Sequence, residues 1–367
     1  MVMGRRQGVT RASLPIGATD LVGLGAQLGL ALGRVPFRRP WSGEGGLPHN
    51  LGVTVTRETI RSFMGYLTAL PIQEFRFVEL VLDDLSGAVL GPVVRSLDVE
   101  QEAATLCGVP GIWYRRKGSA PVGTVLYLHG GGYVGTSPRM YAAFVAWLCR
   151  RTECEIFVAD LRLAPEFPFP AGLEDAVLVM EGLLAEGRDP ARLFVAGDSS
   201  GGGLAASLMY SMHRIHHRPI AGVILFSPEL DMLLDEASVS DNADRDILPW
   251  NIPTSAYLHG RDPGSAPVSA VNQDVSCWPP TFVSFGSDEM FRDAIRLFVA
   301  HLEEAGVDTT SLEEPGMFHV FPILVPWAEG SRRAYRAVGE FVHAHLPDGR
   351  VGGQPHHGAD PDRSTAS

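Results

Sequence analysis

From residue 124 onward, short apolar runs alternate with segments of helical periodicity, and no other feature restricts the fold of this chain as strongly. The runs lie at residues 124–128, 156–159, 193–196, 223–226 and 281–285. Helical spacing recurs at 141–150, 173–184, 199–213, 291–304 and 327–345, with a further strand-like stretch at 310–313. Strands that read as continuous apolar runs are buried on both faces. A repeated strand-then-helix order puts them in a mostly parallel sheet covered by helices. Residues 228–278 interrupt the pattern once. They are acidic around 231–246, and prolines follow at 263, 267, 279 and 280. Ligands bind beyond the carboxyl ends of such strands, so an insert there is predicted to contribute a lid.

The N-terminal side is less regular. Residues 19–70 carry helix and turn signals, with Pro36, Pro40, Pro48 and a glycine-rich patch at 43–46. Residues 75–82 and 112–115 read as strands. The division expected is a flexible leader at 1–18, a cap segment at 19–70, a catalytic domain at 71–346 and a disordered tail at 347–367. The apolar run at 21–32 is shorter than the ~20 residues a membrane span needs. It also contains Gln27 and glycines. It is expected to be a surface helix of the cap, with a weak membrane-surface anchor as the alternative.

Two glycine-rich loops follow apolar runs. One reads Gly197-Asp198-Ser199-Ser200-Gly201 and fits the G-x-S-x-G nucleophile elbow; the other reads His129-Gly130-Gly131-Gly132 and fits an oxyanion loop. A sharp strand-to-helix turn lifts a serine hydroxyl clear of the sheet. Only small neighbours allow that turn to close. The helix start adds free N–H groups and a favourable dipole for developing negative charge. Gly130, Gly131 and Ser200 are the expected oxyanion donors. His129 precedes the glycines and is expected to pin their loop.

Serine is a poor nucleophile without a base. Of the downstream histidines, His319 occupies a loop between a predicted strand and helix. Asp288 directly follows the run at 281–285 and is the expected acid, with Glu289 its nearest competitor. Asp293 is expected to serve as a helix or loop partner. The interval from Ser199 to Asp288 leaves room for strand, insert and strand; that from Asp288 to His319 fits one helix and one strand.

A formal charge of -12 without a basic cluster argues against a nucleic-acid partner. The four cysteines, Cys107, Cys149, Cys154 and Cys277, form no C-x-x-C pair or zinc-type cluster, so inert thiols and no metal are expected. The same usage favours a reducing, cytoplasmic compartment.

These motifs, together with Asp160-Leu161-Arg162-Leu163-Ala164-Pro165-Glu166, resemble the hormone-sensitive-lipase-like esterases of the α/β-hydrolase fold. The resemblance runs from about residue 124 to 345. It implies an eight-stranded sheet with a helical cap, and ester hydrolysis by Ser199, Asp288 and His319 without cofactor or metal. It also implies an oxyanion hole from Gly130, Gly131 and Ser200. The charged residues of the 160–166 segment are expected to brace the loops. The chain departs from the family pattern at Ser200, where alanine is usual, and at Leu161, where tyrosine is usual. A small-molecule ester of short to medium acyl chain is the expected substrate, with Tyr133, Asp246 and Trp250 as pocket candidates. Acyl transfer to another acceptor and a non-catalytic receptor on the same fold are the competing readings; His319 weighs against the receptor. A homodimer is left open.

Overall fold

A computed structural model describes residues 14–38, 46–216, 220–249, 252 and 254–347. Of the expected leader, residues 1–13 lie outside the described residues, as does the tail from 348. Leu14 already begins a helix. Among the described residues, three α-helices precede the sheet: α1 (Leu14–Arg34), α2 (Leu47–Leu67) and α3 (Ile72–Ser96). Helical structure therefore continues beyond residue 70 to the start of the sheet. The strand expected at 75–82 lies inside α3. Arg76 and Glu79, three residues apart and paired at 2.9 Å, share one helical face that alternation could not produce. The apolar run at 21–32 is a surface helix, with Val22 and Leu30 largely exposed. Among the described residues, no helix is long and apolar enough to cross a membrane.

Then follow β1 (Val99–Leu106), β2 (Val109–Arg116), β3 (Thr124–Leu128), α4 (Ala142–Thr152), β4 (Glu155–Ala159), α5 (Ala171–Ala185), β5 (Leu193–Asp198), α6 (Ser199–His216) and β6 (Gly222–Phe226). The insert contains the short helices α7 (Ala237–Asp241) and α8 (Thr254–Leu258). The chain closes with β7 (Thr281–Gly286), α9 (Arg292–Glu304), β8 (Thr309–Glu314), α10 (Phe321–Leu324) and α11 (Glu329–Ala344).

The eight strands form one sheet in the order β1-β2-β4-β3-β5-β6-β7-β8. β2 runs antiparallel to β1 and β4; the remaining pairs are parallel. Successive side chains of β3 point to opposite faces. Leu126 and Leu128 enter the apolar layer beneath α5 and α6, while Val125 and Tyr127 enter the layer beneath α4 and α11. Both faces are thus covered, as the apolar runs require.

The order of the strands positions the site. β4 lies to one side of β3 and β5 to the other, so the loops leaving β3 and β5 open on a common crevice. Leu128 pairs with Gly197, which brings the glycine loop of residues 129–132 against the serine turn.

Candidate active site

Ser199 begins α6 with a φ of 52°, a left-handed value that non-glycine residues seldom adopt. The turn closes only because its flanks lack side chains. A Cβ on Gly197 would strike the Gly201 carbonyl, and one on Gly201 would strike the Leu128 carbonyl oxygen. The strain thus has a visible product: the hydroxyl is held beyond the sheet, at the N-terminus of a helix.

His319 Nε2 lies 2.8 Å from Ser199 Oγ. The ring is buried and packs edge-on against Phe291 at a centroid distance of 5.2 Å. Burial lowers its pKa below the ordinary 6.5, an effect that Asp246 and Asp198 partly offset. A neutral imidazole at neutral pH can accept the serine proton.

The acid expected on the other ring nitrogen is not the one found there. Asp288 turns towards α2: Oδ2 pairs with Arg57 Nη1 at 3.2 Å. Its neighbour Glu289 turns inward, with Oε2 3.4 Å from His319 Nδ1. Adjacent residues in this turn project in opposite directions, and only the second reaches the histidine. Glu289 Oε1 accepts from the Ser227 hydroxyl at 2.6 Å and the Gly286 N–H at 2.6 Å. Burial pushes its pKa up, and these two donors offset only part of that rise.

Asp246, a predicted pocket residue, is instead a brace. It is fully buried and accepts from the backbone N–H groups of His319 at 2.9 Å, Met290 at 2.8 Å and Ile247 at 2.7 Å. One insert carboxylate therefore fixes both the His319 loop and the segment after Glu289. Trp250 lies outside the described residues.

The glycine loop also differs from expectation in one donor. The Gly130 N–H donates to Asp198 Oδ1 at 3.0 Å, so it is not free to meet an oxyanion. The Tyr127 and Tyr141 hydroxyls donate to the same carboxylate at 2.7 and 2.9 Å. Burial still raises Asp198 to about 6. Among the described residues, the Gly131 and Gly132 N–H groups have no protein acceptor. Ser200 stands in the first turn of α6, before any intrahelical acceptor exists. Gly131 has a φ of 121°, and a Cβ there would collide with the Gly135 carbonyl. His129 does pin the loop: its Nδ1 lies 2.9 Å from Thr136 Oγ1 and 3.0 Å from the Gly130 oxygen.

Tyr133 stacks on Tyr257 of α8, with ring centroids 3.7 Å apart. With Leu161, Leu163, Leu204 and Ser200 these rings line a small cleft against the first turn of α6. The 160–166 segment is braced as expected: Arg162 pairs with Asp175 at 3.0 Å and Glu166 with Arg76 of α3 at 2.7 Å. All four cysteines are free, Cys149 and Cys154 buried, Cys107 and Cys277 exposed.

Comparison with known proteins gives this geometry a family. The sequence pattern of the α/β hydrolase fold matches residues 125–323, more than half of the chain. A putative acetyl-hydrolase of Mycobacterium tuberculosis is 31% identical over 69% of this chain and 83% of its own length. An acetyl-hydrolase of Streptomyces hygroscopicus is 32% identical over 62% and 77%. An esterase of the bacterial hormone-sensitive lipase family superposes with a TM-score of 0.69 at 29% identity, covering 79% of this chain and 98% of its own.

The chain belongs to the hormone-sensitive-lipase-like esterases.

This esterase is thus a carboxylic ester hydrolase on an α/β-hydrolase scaffold. Of the residues that the sequence singles out, the structure brings Ser199 and His319 together, and it is Glu289, the competitor, that faces the histidine in place of Asp288. Gly132, whose only sequence signal is its place in the same glycine run, stands beside Gly131 with its N–H likewise unpaired among the described residues.

Proposed function

We propose that this esterase cleaves short to medium acyl esters by a two-step acyl transfer, with Ser199 as nucleophile, His319 as base and Glu289 as the acid that orients it. Ser199 Oγ attacks the ester carbonyl carbon as its proton passes to His319 Nε2. The carbonyl oxygen becomes an oxyanion, met by the N–H groups of Gly131, Gly132 and Ser200. His319 then gives its proton to the departing alcohol oxygen as the carbon–oxygen bond breaks. Water attacks the acyl-enzyme with His319 again as base, releasing the carboxylic acid and restoring Ser199. Glu289, accepting from Nδ1–H, keeps Nε2 as the free lone pair and stabilises the imidazolium.

The observation that carries this reading is the 2.8 Å contact between His319 Nε2 and Ser199 Oγ at a strained turn. Preference for short chains is supported by the tight cleft behind the stacked Tyr133 and Tyr257, and by the acetyl-hydrolases among the relatives.

The test is hydrolysis of p-nitrophenyl esters from two-carbon to sixteen-carbon acyl groups by the wild type and Ser199→Ala. A short-chain maximum that disappears in the variant is expected. Activity surviving in Ser199→Ala refutes the nucleophile, and a long-chain maximum refutes the pocket.

A further inference from the structure

The loops that carry the acid and the base are joined to the cap through one side chain. Arg57, on α2, donates from Nη1 to Asp288 Oδ2 at 3.2 Å and from Nη2 to the Gly316 carbonyl. Its guanidinium also lies over the Phe318 ring, 5.2 Å from the centroid. Asp288 immediately precedes Glu289, and Phe318 immediately precedes His319. Arg57 therefore grips both sides of the acid–base pair one residue away from each. The two loops are also bonded to each other beneath it. Ser287 N–H donates to the Glu314 oxygen at 2.9 Å, Asp288 N–H to the Met317 oxygen at 3.0 Å, and Gly316 N–H to Ser287 Oγ at 2.8 Å.

The ion pair is well shielded: both side chains are less than one-fifth exposed. A planar guanidinium presents donors at fixed angles, so it sets a spacing and not only an attraction. A second contact of α2 provides a contrast. Arg61, one helical turn further along α2, reaches Asp244, whose side chain is 89% exposed.

We propose that Arg57 is a positioning residue that holds Glu289 and His319 at their working separation while the cap is docked. The inference rests on the proposed roles of these two residues. The Nδ1–Oε2 distance of 3.4 Å is already long, so little further separation is needed to lose the hydrogen bond. Removing the fork lets the Asp288 and Gly316 ends of the two loops move independently of α2. The loss falls on proton transfer from Ser199, not on the cleft that receives the acyl group. Through Arg57, displacement of the cap becomes a loss of turnover.

The experiment compares Arg57→Ala, Arg57→Lys, Asp288→Asn, Arg61→Ala and Ser199→Ala on one short-chain p-nitrophenyl ester, with fluorophosphonate labelling of the serine as a second readout. Misplacing a catalytic group by about 1 Å costs up to ~10²-fold. Arg57→Ala is therefore expected to lower kcat by about ten- to a hundredfold and slow labelling alike, with KM changed by less than about threefold. Arg57→Lys, which keeps the charge but not the fork, should fall between; it also serves if Arg57→Ala does not fold. Asp288→Asn should add little to Arg57→Ala, since both remove one contact. Arg61→Ala should keep kcat within about twofold. Guanidinium at millimolar concentration should restore part of the kcat of Arg57→Ala. Unchanged kcat in Arg57→Ala, a rise in KM alone, or an equal loss in Arg61→Ala overturns the proposal. Activity persisting in Ser199→Ala would instead overturn the triad reading itself.

Discussion

Replacing Glu229 by glutamine should change the way stability depends on pH, by an amount the structure sets. Glu229 follows β6, and its backbone N–H donates to the Ser199 carbonyl at 2.9 Å. Its carboxyl group is buried beside Tyr133 and Tyr257, and Oε1 has no hydrogen-bond partner among the described residues. Burial alone pushes its pKa from 4.5 to about 8. In the unfolded chain the group loses its proton near 4.5; in the folded chain it keeps it until about pH 8. Between those limits the folded state binds more protons, so stability falls as pH rises. At ~1.4 kcal/mol per tenfold change in proton affinity, the whole window is worth at most about 5 kcal/mol. Glutamine has nearly the same shape and does not titrate. The difference in unfolding free energy between Glu229→Gln and the wild type should therefore grow in the variant's favour by several kcal/mol from pH 5 to pH 8. Urea unfolding followed by tryptophan fluorescence at steps of one pH unit reads this directly. Parallel stability curves for the two proteins would refute the reasoning, because the other buried acids are common to both.

Ser199→Ala should lose ~10⁴-fold or more in kcat with substrate binding largely kept, which the ester series measures. Glu289→Gln should cost ~10³-fold or more in kcat, against about tenfold to a hundredfold for its neighbour Asp288→Asn; equal losses would return the acid role to open competition. Because burial holds His319 below 6.5, the acid limb of kcat/KM should have its midpoint below that value. A midpoint at 7 or above in a stopped-flow pH series contradicts this. Gly131→Ala should lower kcat by ~10²-fold, since its Cβ would displace the Gly135 carbonyl and with it the oxyanion donors.

Much of this fold is written in short-range pattern. The strands β3 to β7 are legible because each is buried on both faces and must be apolar throughout. β1 is not: it is an edge strand, Val99–Leu106, with most residues exposed, so its sequence carries glutamates and a glutamine where the inner strands carry valine and leucine. Residues 75–82 mislead for a related reason. Buried Arg76 and Glu79 make that helix face polar, and their pairing partners, the carbonyls of Val134 and Ala164 and the carboxylate of Glu166, come from loops far along the chain. In the site, the motifs locate Ser199, the glycine loop and the His319 loop because local backbone geometry demands them. The choice between Asp288 and Glu289 is not local. It depends on which of two adjacent side chains meets Arg57, a residue separated from them by most of the sheet. The Gly130 N–H is lost to Asp198 in the same way, through a contact between the ends of β3 and β5 that only the folded register creates.

Among the described residues, the helices that precede the sheet reach the rest of the fold through contacts that include Arg57 on Asp288 and Gly316, Arg61 on Asp244, Arg76 on Glu166 and two carbonyls, and Asp83 on Ser137 and Arg139. Exchange of caps between relatives is an obvious route to new substrate selectivity. Here such a graft works like a keyed plug. A foreign segment without a counterpart of Arg57 would leave an active-site entrance of the right shape over loops no longer held in register. Chimeras should therefore be chosen by matching the arginines to their receptors before matching the pocket walls.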